Sequence, residues 1–173
     1  NAVLTNAVLT NAKTGTINGS PKLLPNGWEQ RNKSLIGRGA DLTDAVLKGE
    51  DLNDLDFTNA DLTKAILKNA KTGTIIGSPK ALPEGWVQRN KSLIGAGADL
   101  SGADLNNGNL NDLDFTEIIL TKAKTGTIIG IPKALPEGWV QRGQSLIGPY
   151  ADLNNANLEQ ADLTKVNFLK DAF

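Results

Sequence analysis

The chain of 173 residues contains no cysteine, no histidine and no methionine. Without cysteine there can be no disulfide, no thiolate metal site and no cysteine nucleophile. Without histidine the commonest general base and the commonest metal ligand are both missing. Aromatic residues make up 5% of the chain, too few for a broad globular core and better suited to narrow, regular packing. No apolar run approaches the roughly 20 residues that a membrane-spanning helix needs, and nothing at the N-terminus reads as a signal peptide. An excess of either charge is lacking as well. The 18 basic and 19 acidic residues leave a net charge of −1, which argues against a general polyanion binder. The chain opens in mid-pattern at Asn1, as a processed or truncated piece would. These absences tell against most enzyme chemistry, and no catalytic residue, cofactor site or metal site is expected.

What is present is repetition. A large apolar residue returns every five positions: Leu42, Leu47, Leu52, Phe57, Leu62 and Leu67. It returns at Leu100, Leu105, Leu110, Phe115 and Leu120, again at Leu153, Leu158, Leu163, Phe168 and Phe173, and in a short opening run at Leu4 and Leu9. A period of five fits neither a helix nor a strand. On a helix, successive centres would rotate by about 140° and share no face. A chain that turns one corner per pentad lets every centre point at a common axis.

The flanking residues agree with such a corner. Two positions before each centre the residue is usually Ala, small enough for the inside of a bend. Two positions after it come Asn6, Asn11, Asp44, Gly49, Asp54, Asn59, Asn69, Gly102 and Asn107; Gly and Asn accept the positive φ of a type II turn. The usually small position is departed from at Glu50, Leu55, Leu113, Ile118 and Asp171. For Glu50, an unpaired buried carboxylate being costly, a local widening or a carboxylate reaching solvent is expected.

The pattern Ala-(Asp/Asn)-Leu-X-X resembles that of the pentapeptide-repeat family, over residues 1–12, 40–70, 98–123 and 151–173. The resemblance implies an all-β fold, a right-handed quadrilateral parallel β-helix with four pentads per coil, and a single domain over 1–173.

Between the runs lie three excursions of 27 residues, 13–39, 71–97 and 124–150, and adjacent copies are identical at 22 positions. Their shared frame is Lys-Thr-Gly-Thr-Ile, then Gly-X-Pro-Lys-X-Leu-Pro-X-Gly-Trp, Gln-Arg and Ser-Leu-Ile-Gly. Pro and Gly punctuation forbids a helix. Trp86–Arg89 and Ser92–Ile94 around Asn90-Lys91 read as a β-hairpin with a two-residue turn, and Gly143 suits the same turn in the third copy. Similar Leu-Pro-X-Gly-Trp…Leu-Ile-Gly segments occur in pentapeptide-repeat proteins, particularly cyanobacterial ones. The Thr-Gly-Thr-Ile-Ile-Gly stretch is no phosphate loop, because it lacks the Gly-Lys-Ser/Thr ending and a following helix.

Trp28, Trp86 and Trp139, with Arg31, Arg89 and Arg142, form a candidate interaction surface. Alternatively each Trp anchors its own hairpin with Leu35/Ile36, Leu93/Ile94 or Leu146/Ile147. Charge is segregated: the pentad runs carry −10 and the excursions +9. The basic hairpins are therefore expected to fold back on the acidic runs, through Lys22, Lys80 and Lys133 or the three arginines. Outward carboxylates such as Asp41 and Asp61 could bind cations or mimic phosphates, or bond local backbone N–H groups; no calcium-type nonapeptide repeat is present.

Three functions fit these residues to different degrees. The first is a non-enzymatic rod that presents hairpins and polar ladders to an unidentified protein partner. The second comes from the resemblance, which implies DNA-like acidic rods that modulate DNA gyrase and are generally dimerised through a C-terminal helical module. Here the pentads run to Phe173 without such a module and basic excursions nearly offset the acidic runs, both of which weaken this reading. With a net charge of −1, direct nucleic-acid binding is not expected either. The third, an enzyme, would have only carboxylates, lysines, Tyr150 and hydroxyls to work with, and no acid–base pair stands out. Compartment, partner and oligomeric state are not written in the residues.

Overall fold

A side chain that recurs every five residues is buried each time only if the backbone turns once per pentad. In a computed structural model of the protein, that turn is made again and again. The structure describes residues 2–164 and 166–168; the centre Phe173 and the departure Asp171 lie outside them. Among the described residues there is no helix. The turn residues adopt left-handed φ, for example 61° at Asp44, 58° at Asn59 and 73° at Gly49. Of those singled out in the sequence, Asn6 alone stays outside that region. Lys64 and Lys122 adopt it too, at 60° and 57°, so the coil imposes the conformation even on residues with little preference for it. A short bond closes each corner, as where the Ala65 N–H donates to the Leu62 carbonyl at 2.9 Å.

Parallel bridges join residues 20 apart: Asp41 to Asp61, Val46 to Ile66, Asp51 to Lys71 and Asp56 to Ile76. Four pentads therefore make one coil, and the molecule is an all-β solenoid of stacked coils. The Leu42 N–H donates to the Asp61 carbonyl at 2.8 Å, and the Asp61 N–H to the Ala40 carbonyl at 2.9 Å. Leu42, Leu47, Leu52, Phe57 and Leu62 are wholly buried on the axis, as are Leu100, Leu105, Leu110 and Phe115. Each such Leu contributes roughly 1.5–3 kcal/mol by leaving water. Glu50 is half-buried, and among the described residues no buried side-chain nitrogen or oxygen lacks a partner.

The three excursions contain the only multi-residue strands among the described residues. Strands β1 (Glu29–Arg31) and β2 (Ser34–Ile36), β3 (Val87–Arg89) and β4 (Ser92–Ile94), and β5 (Val140–Arg142) and β6 (Ser145–Ile147) form antiparallel hairpins. Their turns carry positive φ at Asn32, Asn90 and Gly143 but not at the following residue, the pattern of a type II′ turn.

The hairpins lie inside the stack. The coil first continues through each excursion's opening residues: Lys71, Ile76 and Ala81 bridge back to Asp51, Asp56 and Asp61. After the hairpin, Asp99 bridges directly onto Lys71, as Asp41 does onto Lys13 and Asp152 onto Lys124. Yet Ile76 and Ala81 make no bridge to Asp104 and Asn109, the pentads that follow them by one coil. The hairpin fills that gap. Strand β4 is flanked by β3 and by the Thr72–Ile75 stretch, through Leu93 N–H to Thr72 carbonyl (3.0 Å) and Ile75 N–H to Lys91 carbonyl (2.7 Å). All residues of β2, β4 and β6 are buried. The hairpins expected to project from the rod are wedged between its coils, because the apolar Ser-Leu-Ile strand has no other place to shed its water.

The excursions start on different sides of the coil. Lys13 stacks under Asp41 and Asp61, Lys71 lies in the Asp51–Asp99 column, and Lys124 in the Asp104–Asp152 column. Six pentads separate the first two excursions, a half turn of a four-pentad coil, and five separate the next two, a quarter turn beyond a full coil. No single face carries all three hairpins, and the first two are on opposite sides.

Candidate interaction surface

Each hairpin is held by the same set of bonds in all three copies. From below, the buried Thr72 hydroxyl donates to the Leu93 carbonyl at 2.7 Å, and the Ser92 hydroxyl to the Gly73 carbonyl at 2.8 Å. Thr14 with Ser34 and Thr125 with Ser145 repeat this arrangement. The Gln88 amide donates to the Gly77 carbonyl at 2.9 Å. From above, Arg89 Nε donates to the Asn109 carbonyl at 2.7 Å, Arg31 Nε to the Asp51 carbonyl at 2.9 Å and Arg142 Nε to the Asp162 carbonyl at 3.0 Å. In an uninterrupted stack that carbonyl accepts a ladder N–H, as Asp61 does from Leu42. The guanidinium replaces the bond that the wedge removes. The Asn90 side-chain amide adds bonds to the Asp104 and Asn106 carbonyls.

The candidate tryptophans sit at the hairpin bases, half-buried. Each indole lies against a glycine that ends the inner strand: a Cβ built on Gly95 would come within 2.3 Å of Trp86, and Gly37 and Gly148 stand in the same relation to Trp28 and Trp139. Trp28 and Trp86 also pack against the core around Leu55, and Trp86 and Trp139 against that around Phe115. Two of the large residues at small positions, Leu55 and Leu113, lie beside the hairpins. The Leu55–Phe57 pentad covers the exit of the first hairpin, where the Gly39 N–H donates to the Thr58 carbonyl at 2.8 Å. Leu113 shares a cleft of about 480 Å³ with Ile94 and Gly95 of the second hairpin. The structure thus brings each Trp and Arg into one docked hairpin and leaves the three sets on separate faces.

Sequence reasoning passed over the Thr–Ser pairs and the glycine seats. Their signal was the invariance of Lys-Thr-Gly and of the Gly after Ser-Leu-Ile through all three excursions.

The outward carboxylates bond to local backbone. Asp41, Asp51, Asp56, Asp99 and Asp104 each accept the N–H two residues on, at 2.8–3.1 Å. At Asp61 and Asp114 the Thr hydroxyl at that position donates as well, at 2.6 Å. The Thr63 hydroxyl, then its N–H, hold the Asp61 carboxyl below its ordinary pKa; Thr116 does the same for Asp114 and Thr164 for Asp162. Lysines interrupt the acidic columns: Lys71 lies 3.7 Å from Asp51, Lys124 3.9 Å from Asp104 and Lys80 3.4 Å from Asp61. Lys133 lies near enough to favour the Asp114 carboxylate. Lys22 makes no ion pair among the described residues. The excursions' positive charge is therefore folded back on the runs, through lysine to carboxylate and through arginine mainly to carbonyl. Among the described residues no helix is long and apolar enough to cross a membrane.

The family model for pentapeptide repeats matches residues 38–71, 96–124 and 150–170 in eight copies. No curated protein and no solved structure matches the chain. The matched blocks take in the runs 42–67, 100–120 and 153–163 with corner residues such as Asp44 and Gly102; the first hairpin precedes them, and the second and third fall between them. With bridges at every 20th residue and Leu or Phe on the axis, the chain belongs to the pentapeptide-repeat family.

Proposed function

We propose that the protein is a non-enzymatic scaffold, a right-handed four-sided rod acting as one unit over residues 1–173, that presents fixed rows of side chains to a partner protein. The observation that carries this reading is the regular stacking of the rows. Outward residues such as Val46 and Ile66, or Asp41 and Asp61, stand on bridged neighbours, with spacing set by the strand ladder at about 4.8 Å. Such a surface is pre-ordered and loses little entropy on binding. The exposed edges of Trp28, Trp86 and Trp139, beside Arg31, Arg89 and Arg142, are the contact residues proposed. A partner that engages all three sets must pass around the rod. The right-handed winding, and the cyanobacterial type of the excursions, rest on the resemblance of the motifs.

Modulation of gyrase by DNA mimicry is the weaker reading, because Lys71 and Lys124 break the acidic columns with opposite charge. A supercoiling assay separates the two: inhibition or protection of gyrase at stoichiometric concentration would favour mimicry. For the scaffold, a partner retained by the wild-type chain should be lost on Val46→Lys/Ile66→Lys or on Asp41→Lys/Asp61→Lys, which change outward rows and leave the axis intact. Equal retention by every surface variant would overturn it.

A further inference from the structure

The three excursions are near-copies, but they differ in one kind of chemical stability. The first contains Asn18-Gly19 and Asn26-Gly27, where the second has Ile76-Gly77 and Glu84-Gly85 and the third Ile129-Gly130 and Glu137-Gly138. An Asn followed by Gly is the peptide pair most open to attack of the backbone on its own side chain, since Gly carries no Cβ to hinder the approach.

We propose that the first excursion is a site of spontaneous backbone modification, at Asn26 and Asn18, to which its two sister copies are immune. The Gly27 nitrogen attacks Cγ of Asn26. The new N–Cγ bond forms as the Cγ–NH2 bond breaks and ammonia leaves, giving a succinimide. Water then opens the ring at either carbonyl, yielding aspartate or isoaspartate. No oxidant or enzyme enters the balance.

The surroundings permit the attack. Asn26 and Gly27 are exposed, and a Cβ built on Gly27 would meet nothing within 4 Å. The turn is closed by one bond, Trp28 N–H to Pro25 carbonyl at 3.1 Å, at the accessible edge of the fold, where local opening requires little free energy. Asn18 and Gly19 are likewise exposed, with open space around Gly19. A third pair, Asn107-Gly108, provides an internal contrast. Gly108 is buried, its N–H donates to the Leu105 carbonyl at 3.0 Å, and the Asn107 N–H donates to the Thr127 carbonyl at 2.7 Å. That pair is fixed in the ladder and reacts only when the coil opens.

The product has a local consequence. Isoaspartate at 26 adds a methylene to the main chain two residues before Trp28, in the turn that aims the indole at Gly37.

The test is peptide mapping of the folded chain after incubation in mildly alkaline buffer, against the same chain in urea. Tryptic peptides 14–22, 23–31 and 92–122 report Asn18, Asn26 and Asn107 separately. Conversion of 23–31 and 14–22 in the folded state within about tenfold of the urea rate is expected, with 92–122 slowed by more than about a hundredfold. Asn26→Gln should abolish the change in 23–31 while leaving 14–22 unaffected. Native conversion of 92–122 as fast as that of 23–31, or full protection of both first-excursion peptides until urea is added, would overturn the proposal.

Discussion

Residues 40–70 and 71–97 share the same columns of bridges, but their layers are joined by different means. In the first stretch each layer meets the next mainly through backbone ladder bonds, with Ala inside the corner and Leu on the axis. In the second, a hairpin lies between layers, and side chains make the joints: Thr72 and Ser92 below, Arg89 and Asn90 above. The backbone solution tolerates almost any outward residue and so leaves its surface free to vary. The side-chain solution needs particular hydroxyls, amides and a guanidinium, so its sequence repeats nearly unchanged through three copies.

The largest contrast comes from the axis. Leu62→Asp places a carboxylate where no partner exists and should destabilise by several kcal/mol. Thr63→Asp, outside the same pentad, forfeits only the hydroxyl bond to Asp61 and should cost no more than about 1 kcal/mol. Equal melting temperatures would overturn the inward assignment of the pentad centre. Next is the indole seat. Gly95→Ala drives a methyl into Trp86 and should destabilise by about 1–3 kcal/mol with a shift in Trp emission, whereas Gly85→Ala, in open space at φ +75°, adds only backbone strain and should leave the emission unchanged. A third variant removes the guanidinium. Arg89→Ala leaves the Asn109 carbonyl without its donor and should cost about 1 kcal/mol, seen as faster amide exchange in β3 and β4 with the 40–70 coil unaffected.

The smallest effect lies on the backbone-joined side. Thr63→Val removes the hydroxyl that favours the Asp61 carboxylate, so the Asp61 pKa should rise toward its ordinary value in an NMR titration. Because the native pKa is depressed, its stabilisation is present above the unfolded value of about 3.9 and is lost as pH falls through the folded value. Wild type and variant should therefore differ at neutral pH and converge in strong acid. Divergence that grows on acidification would contradict the assignment.

The corner in each pentad was legible because a five-residue period buries Leu42, Leu47 and Leu52 together only if the chain turns once per repeat; the count of four pentads per coil came from the family resemblance. The positive φ of Asp44 and Asn59 followed from turn chemistry, and the hairpin register from the two-residue turn. The hairpins' position was not legible. Ser-Leu-Ile reads as a strand whether it lies on the rod or within it, and nothing local marks Ser92 as buried until Gly73 is known to lie beside it. The arginines looked like surface charge for a similar reason: the carbonyl each one serves is 20 residues away and is vacant only because a ladder bond elsewhere is missing.

The four-pentad coil also turns chain length into angle. Removing one pentad from 40–70 would not shorten any hairpin, yet it would rotate everything beyond it by a quarter turn relative to the first excursion. Gain and loss of five-residue units therefore acts on this molecule as a dial, re-aiming whole faces while each face keeps its own residues.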